Sequence, residues 1–128
     1  HIRHGVNYND LPVFYKLATA FVYPSRIEGF GIPMLEAITS GLPAIGCTGS
    51  CLEEAGGPTS LYVNPDDVEG MADAIHSLYN DVTLRQNMIA QGKEYARRFD
   101  IAKLTSDLYE VYKTVCGSHR GVGPNSLL

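Results

Sequence analysis

Two carboxylates, Glu28 and Glu36, are separated by seven residues in the stretch SRIEGFGIPMLEAITSGLP, residues 25 to 43. Two glycines, a phenylalanine and a proline lie between them. An ionised carboxylate is acceptor-only, and its two oxygens suit a pair of neighbouring hydroxyls. Glycines let a ligand approach the backbone closely, and the unpaired N–H groups at a helix N-terminus attract phosphate. The amides of Phe30, Gly31 and Ile32, beside Gly29, could therefore face a diphosphate. Pro33 suits the first helical position, where its missing N–H costs nothing. Glu36 would then sit roughly 5 Å along the axis from Pro33. There it would repel a phosphate lying against it but accept from a ribose diol next to the diphosphate. Glu28, on the other side of the glycine turn, could accept from sugar hydroxyls. Each part alone has a plainer reading, because an early helical Glu complements the dipole, glycines make turns, and a lone G-x-G is a weak signal.

The flanking pattern supplies elements able to hold these residues. IRHGV at 2–6 reads as a strand running into a turn. Asp10 caps a short helix with Leu11, Phe14, Tyr15 and Ala18 on one face and Pro12 in its first turn. AFVYP at 20–24 is a strand, residues 25–31 a glycine-rich loop, and a helix runs from Pro33 to about Ser40, ended by Gly41. PAIGC at 43–47 is a third strand. Ser50 and Glu53 form a capping box for a short helix closed by Gly56 and Gly57. SLYV at 60–63 is a fourth strand, followed by the turn and cap NPDD at 64–67.

Three helical stripes follow, read as core-facing: Val68, Met71, Ala72, Ile75, Leu78 and Tyr79; then Leu84, Met88, Tyr95 and Phe99; then Ile101, Leu104, Leu108, Val111, Tyr112 and Val115. Asp81 and Asp100 cap the second and third. The expected fold is α/β, a Rossmann-like three-layer α/β/α with about four parallel strands. Its domain spans 1–116, and 117–128 is a flexible tail. Ligands of such sheets bind beyond the carboxyl ends of the strands, where the loop at 25–31 falls.

The chain has 128 residues, 45% hydrophobic and 19% charged, which suits one globular core. Its net charge is −4, and residues 1–65 carry only Arg3, Lys16 and Arg26 as Lys or Arg, which argues against nucleic acid as a partner. No apolar run is long enough for a transmembrane segment, and the first residues are not expected to act as a signal peptide. It starts at His1 without a methionine, which leads to the expectation of an excised or trimmed piece. Three cysteines, Cys47, Cys51 and Cys116, fit a reduced, cytoplasmic chain. CTGSC at 47–51 lacks a second ligand pair, so no metal is expected and its thiols read as semi-buried. His4 and His76 read as structural. Ser25 and Arg26 sit on the loop rim, where they could line the pocket.

Taken together, PSRIEGFGIPMLEAITSGLPAI closely resembles the E-x7-E motif of the family 4, or "group 1", retaining glycosyltransferases. HGVNYNDLPVFYKLATAFVYPS is similar to the strand–helix–strand that precedes the motif in that family. CLEEAGGPTSLYVNPDDVEGMADAI resembles its following strand and helix, and EYARRFDIAKL echoes the run before its last helix. The resemblance covers residues 2 to about 116. It implies a GT-B fold, two Rossmann-like domains around a cleft, with this chain as most of the C-terminal, donor-binding domain. It further implies that Glu28 is the catalytic carboxylate at the donor sugar and that Glu36 holds the ribose. The backbone of Gly29, Phe30, Gly31 and Ile32 would meet phosphates and sugar, and that near Val6 would approach the base. The partners implied are a nucleotide-sugar donor and a glycan, lipid or small-molecule acceptor, the latter bound through a missing N-terminal domain. No cofactor or metal is implied. In a longer protein, peripheral association with a membrane would be compatible with a cytoplasmic location.

The sequence also departs from the family pattern. The family's Arg and Lys that neutralise the diphosphate leaving group have no counterpart here: Lys16 and Arg26 are elsewhere, and Arg97 and Arg98 come late. Stabilising a leaving group is a large electrostatic contribution, so the chain alone is expected not to turn over. Two other classes share the architecture, a non-catalytic nucleotide-sugar-binding or interaction module and a GT-B sugar-nucleotide epimerase. The epimerase would need further acid and base residues that the sequence does not display.

Overall fold

In a computed structural model, residues 4 to 118 are described. By contact they divide into two units, the first ending at Ala96 and the second beginning at Arg97. The first holds a three-stranded parallel sheet in the order β1-β2-β3, with β1 Phe21–Val22, β2 Ala44–Cys47 and β3 Leu61–Val63. The register pairs Phe21 with Ala44 and Ile45 with Leu61. Around the sheet lie α1 Leu11–Leu17, α2 Ile32–Thr39, α3 Leu52–Gly56, α4 Val68–Asn80 and α5 Val82–Ala96. The second unit carries α6, Ile101–Ser118.

Strand alternation builds a layer on each side of the sheet. Phe21 and Tyr23 pack against a cluster of Met34, Ile38, Ala44, Leu52 and Ala55. Ala20 and Val22 face the other way, towards Ile45, Leu78 and Met88. Met34, Ile45, Leu52 and Leu78 are fully buried, and each contributes about 1.5–3 kcal/mol by leaving water. The three-layer parallel α/β reading is thus correct, with three strands rather than four among the described residues. Of the strand running into a turn expected over 2–6, the described residues 4–6 show only the turn, which Gly5 makes through a left-handed φ of +69°. Residues 2 and 3 lie outside the described part.

Several caps form as the sequence indicates. Asp67 accepts from Gly70 N at 2.8 Å, Asp81 from Leu84 N at 2.8 Å, and Asp100 from Ala102 N at 2.9 Å. Others differ. Asp10 precedes α1 without a side-chain cap bond. The expected capping box is displaced: Cys51 is the N-cap of α3, Ser50 Oγ accepts from Leu52 N, and Glu53 Oε1 accepts from Gly49 N. The glycine at 49, with φ +77°, turns its amide towards Glu53, so the two acceptors serve different N–H groups from those of a reciprocal box.

The second stripe is inward-facing as its periodicity indicates, with Met88 buried and Leu84, Tyr95 and Phe99 half-buried, but the first and third are less buried than expected. In α4, Leu78 is buried and Met71 half-buried, whereas Val68, Ala72, Ile75 and Tyr79 are exposed. Val68, Met71, Ala72 and Ile75 border a groove of about 340 Å³, shared with Pro24, Cys47 and Pro65 at the strand ends. In α6, Ile101, Leu104, Leu108, Val111, Tyr112 and Val115 are all exposed. Periodicity reports an apolar face, but burial needs a second surface, and a single helix has none of its own. Gly117 and Ser118 close α6, and the rest of the expected tail lies outside the described residues.

Candidate functional site

The loop from Pro24 to Gly31 leaves the carboxyl end of β1 and enters α2. Gly31 is the N-cap of α2, with φ +98° and ψ +44°, a left-handed conformation natural only to glycine. A Cβ there would stand 2.5 Å from Leu52 Cδ2 and 3.3 Å from Ala55 Cβ. Gly31 thus seats the start of α2 against α3. Its carbonyl accepts from Met34 N at 2.9 Å and Leu35 N at 3.3 Å, closing the first turn. The helix opens at Ile32, one residue before the expected Pro33, so Pro33 is second in the helix and Glu36 lies just beyond the first turn. Gly29 is different. It is exposed, it has no left-handed φ, and a Cβ there would touch nothing within 4 Å.

Phe30 packs against the first core cluster, and Ile32 is exposed beside Glu36. Both glutamates are half-buried, and each is held by phenols. Tyr23 Oη donates to Glu28 Oε1 at 2.7 Å. Tyr15 Oη donates to Glu36 Oε2 at 3.1 Å, and Tyr8 Oη to Glu36 Oε1 at 3.4 Å. The Ser25 hydroxyl and the Tyr23 phenol keep the Glu28 carboxyl below the ordinary glutamate range. In return, the bond to Glu28 and partial burial raise Tyr23. Burial, together with the bond to Glu36, pushes Tyr15 up to about 12. Glu28 is therefore an ionised acceptor at neutral pH, facing neutral donors.

Glu36 borders a groove of about 310 Å³ formed with Tyr8, Leu11, Pro12, Tyr15, Ile32, Leu35, Thr39 and Ser40. Its walls are largely aromatic and aliphatic, with one carboxylate among them. Val6 lies in a neighbouring hollow with Leu11, Phe14, Tyr15 and Phe21. The structure therefore brings Ile32 and Glu36 into one groove, with Val6 in the adjoining one and Glu28 at the loop. Arg26 turns towards β3: its guanidinium donates to Asp66 Oδ1 at 2.6 Å and to Pro65 O at 3.2 Å. That pair holds the Asp66 carboxyl below its usual range.

The sequence reading did not single out Tyr8 and Tyr23, and it used Tyr15 only as a core-facing position. Strand alternation places Tyr23 on the Phe21 face, but nothing local in the sequence tells which carboxylate its hydroxyl meets. Cys47 is buried, Cys51 donates through Sγ to Glu28 O at 3.1 Å, and Cys116 is exposed. Among the described residues, no three His, Cys, Asp or Glu side chains gather as metal ligands would. No helix there is long and apolar enough to cross a membrane.

The glycine loop, with Glu28 on it and Glu36 in the helix it enters, thus lies at the carboxyl edge of a parallel α/β sheet, the edge where ligands of such sheets generally bind. Residues 1–95 match the family model described as Glycosyl transferases group 1, and the chain belongs to that family. It is 36% identical over 104 residues to the O-antigen chain mannosyltransferase B of Escherichia coli, covering 81% of this chain and 27% of the relative. It is 37% identical over 97 residues to the O-antigen chain mannosyltransferase RfbU of Salmonella typhimurium, covering 76% and 26% of the two chains. Among solved structures it resembles the sucrose-phosphate synthase of Thermosynechococcus elongatus, with a TM-score of 0.78 and 26% identity over 88% of this chain and 29% of that one. The fold is accordingly the Rossmann-like arrangement of GT-B transferases. This chain spans about a quarter of the length of these two mannosyltransferases.

Proposed function

We propose that this chain forms the donor-binding, C-terminal part of a retaining, family 4 glycosyltransferase. In this reading it takes a nucleotide sugar, and a glycan, lipid or small-molecule acceptor docks on a further domain. The observation that carries the reading is Gly29. Nothing lies within 4 Å of where its Cβ would stand, which leaves room for a partner from outside the chain beside two carboxylates held by phenols. Gly29, Phe30, Gly31 and Ile32 then meet the diphosphate and sugar. Glu36 accepts from the ribose diol through lone pairs its phenols leave unused, since a carboxylate offers about four. Val6 approaches the base. Glu28 contacts sugar hydroxyls and stabilises positive charge developing at the anomeric carbon, by analogy with other glycosyl transfers.

The names of the relatives favour a mannosyl group as the sugar transferred. Reaction requires an acceptor domain and cationic groups at the leaving diphosphate, so the isolated chain binds without turning over. A cytoplasmic location, where nucleotide sugars are handled, is part of the proposal. Ligand-observed NMR against UDP-, GDP- and ADP-sugars, with Glu36→Ala alongside, tests it. The expected result is binding of one nucleotide family, lost in the variant. Binding unaffected by Glu36→Ala would remove Glu36 from the site. Absence of binding by a folded wild-type chain would favour a non-catalytic interaction module.

A further inference from the structure

We propose that Tyr15, Phe21 and Tyr23 form an aromatic row that sets the position of both glutamates, with Tyr15 and Tyr23 acting as positioning residues for the donor site. The inference rests on the donor-site reading above and deepens it. Tyr23 Oη holds Glu28 at 2.7 Å, and Tyr15 Oη holds Glu36 at 3.1 Å. Phe21 joins the two phenols: its ring meets Tyr15 edge-on at 5.8 Å and 72°, and meets Tyr23 at 5.6 Å and 35°. The two carboxylates, on opposite sides of a glycine loop, are thus linked through three contiguous rings.

The row is anchored on the sheet. Phe21 and Tyr23 project from one face of the strand. Their amides donate to Pro43 O at 2.8 Å and Ile45 O at 2.9 Å, fixing them to the central strand. Tyr15 joins from α1. Contacts between aromatic rings favour edge-on and offset geometries, so the row resists sliding.

The chemical reason for such a row is entropy. A free glutamate side chain loses considerable rotamer freedom when a ligand fixes it. A carboxylate already fixed by a charge-assisted hydrogen bond meets hydroxyls without that loss. Each phenol occupies only part of its carboxylate's accepting capacity, leaving lone pairs for a sugar or ribose.

The test uses this chain with Tyr23→Phe and Tyr15→Phe, which retain the rings and remove only the hydroxyls. Affinity for UDP-glucose, GDP-mannose and ADP-glucose is measured by titration calorimetry, and the Glu28 carboxyl is titrated by carbon-13 NMR. Each variant is expected to keep the wild-type fold and weaken binding of the preferred nucleotide sugar about tenfold, the range of a hydrogen bond to a charged group. In Tyr23→Phe the Glu28 titration moves up towards the ordinary glutamate range. In a Glu28→Ala background, Tyr23→Phe has no further effect on affinity, because the tyrosine acts through the glutamate. A merely structural tyrosine would leave affinity unchanged, or lower it equally with and without Glu28. Wild-type affinity in both variants, with the Glu28 titration unmoved, would overturn the row. Absence of nucleotide-sugar binding by the wild-type chain would overturn the donor reading and the positioning role that rests on it. The Glu28 titration still reads the Tyr23 bond directly in that case, so the two failures are distinguishable.

Discussion

The Tyr23 hydroxyl lies 2.7 Å from Glu28 Oε1, so the acid nearest the glycine turn is tied to the strand it has just left. Ser25 and Tyr23 together favour its ionised form and lower its pKa. A lowered folded-state pKa stabilises the fold above the unfolded value, about 4.3, and that contribution is lost as pH falls through the folded value. Carbon-13 NMR of the Glu28 carboxyl is expected to show a midpoint below that of an ordinary glutamate. A midpoint at or above the ordinary value would contradict this geometry.

The two glycines of the loop should separate stability from binding. Gly31→Ala forces a left-handed φ on a side chain and drives a methyl into buried Leu52. The expected loss is about 1–3 kcal/mol in urea unfolding. Gly29→Ala meets nothing in the protein and should leave stability within about 1 kcal/mol of wild type. Its expected effect is instead on nucleotide-sugar affinity. Equal stability costs at both positions would contradict the assignment.

At high pH, burial together with the bond to Glu36 brings Tyr15 to about 12, and burial brings Tyr62 to about 12. Tyr62 donates to Gly57 O at 2.8 Å, a bond its phenolate could not make. Raised phenols stabilise the fold fully below the unfolded value of about 10. That contribution is lost as pH rises through the folded value. Absorbance titration near 295 nm should show the Tyr15→Phe and Tyr62→Phe variants each missing a late-ionising tyrosine. Loss of an ordinary one instead would contradict the placement.

The neighbouring acids Asp66 and Asp67 have separate roles that substitution can tell apart. Asp67 caps α4 through Gly70 N at 2.8 Å, so Asp67→Ala should cost about 1 kcal/mol. Asp66 pairs with Arg26 on the surface, their side chains 77% and 59% exposed. Exposed pairs contribute little, so Asp66→Asn should change stability by less than about 1 kcal/mol. Thermal unfolding of the two variants measures the contrast.

The sheet was legible because AFVYP, PAIGC and SLYV are short β-rich runs bounded by prolines, asparagine and helix signals. Asp67, Asp81 and Asp100 marked helix starts for the local reason that a carboxylate satisfies free N–H groups. Glu28 and Glu36 stood out because acids beside a glycine turn lack a simple core role. Harder to read was anything requiring a second surface. Ile101 to Val115 form an apolar stripe without stating what covers it. Tyr8, Tyr15 and Tyr23 look like ordinary aromatic positions until the sheet and α1 bring their hydroxyls to the acids. The shift of α2 by one residue, to Ile32, follows from the left-handed Gly31, whose angles leave no trace in spacing.

The central claim, that the loop from Glu28 to Glu36 receives a nucleotide sugar, is tested most directly by mapping amide shifts in a nitrogen-15 spectrum. UDP-glucose, GDP-mannose and ADP-glucose are titrated in turn. One of them is expected to move the amides of Gly29, Phe30, Gly31, Ile32 and Glu36 most, with smaller shifts near Val6 and Tyr8. Shifts concentrated instead along the α4 groove at Val68 and Ile75, or no shifts with any of the three, would contradict it.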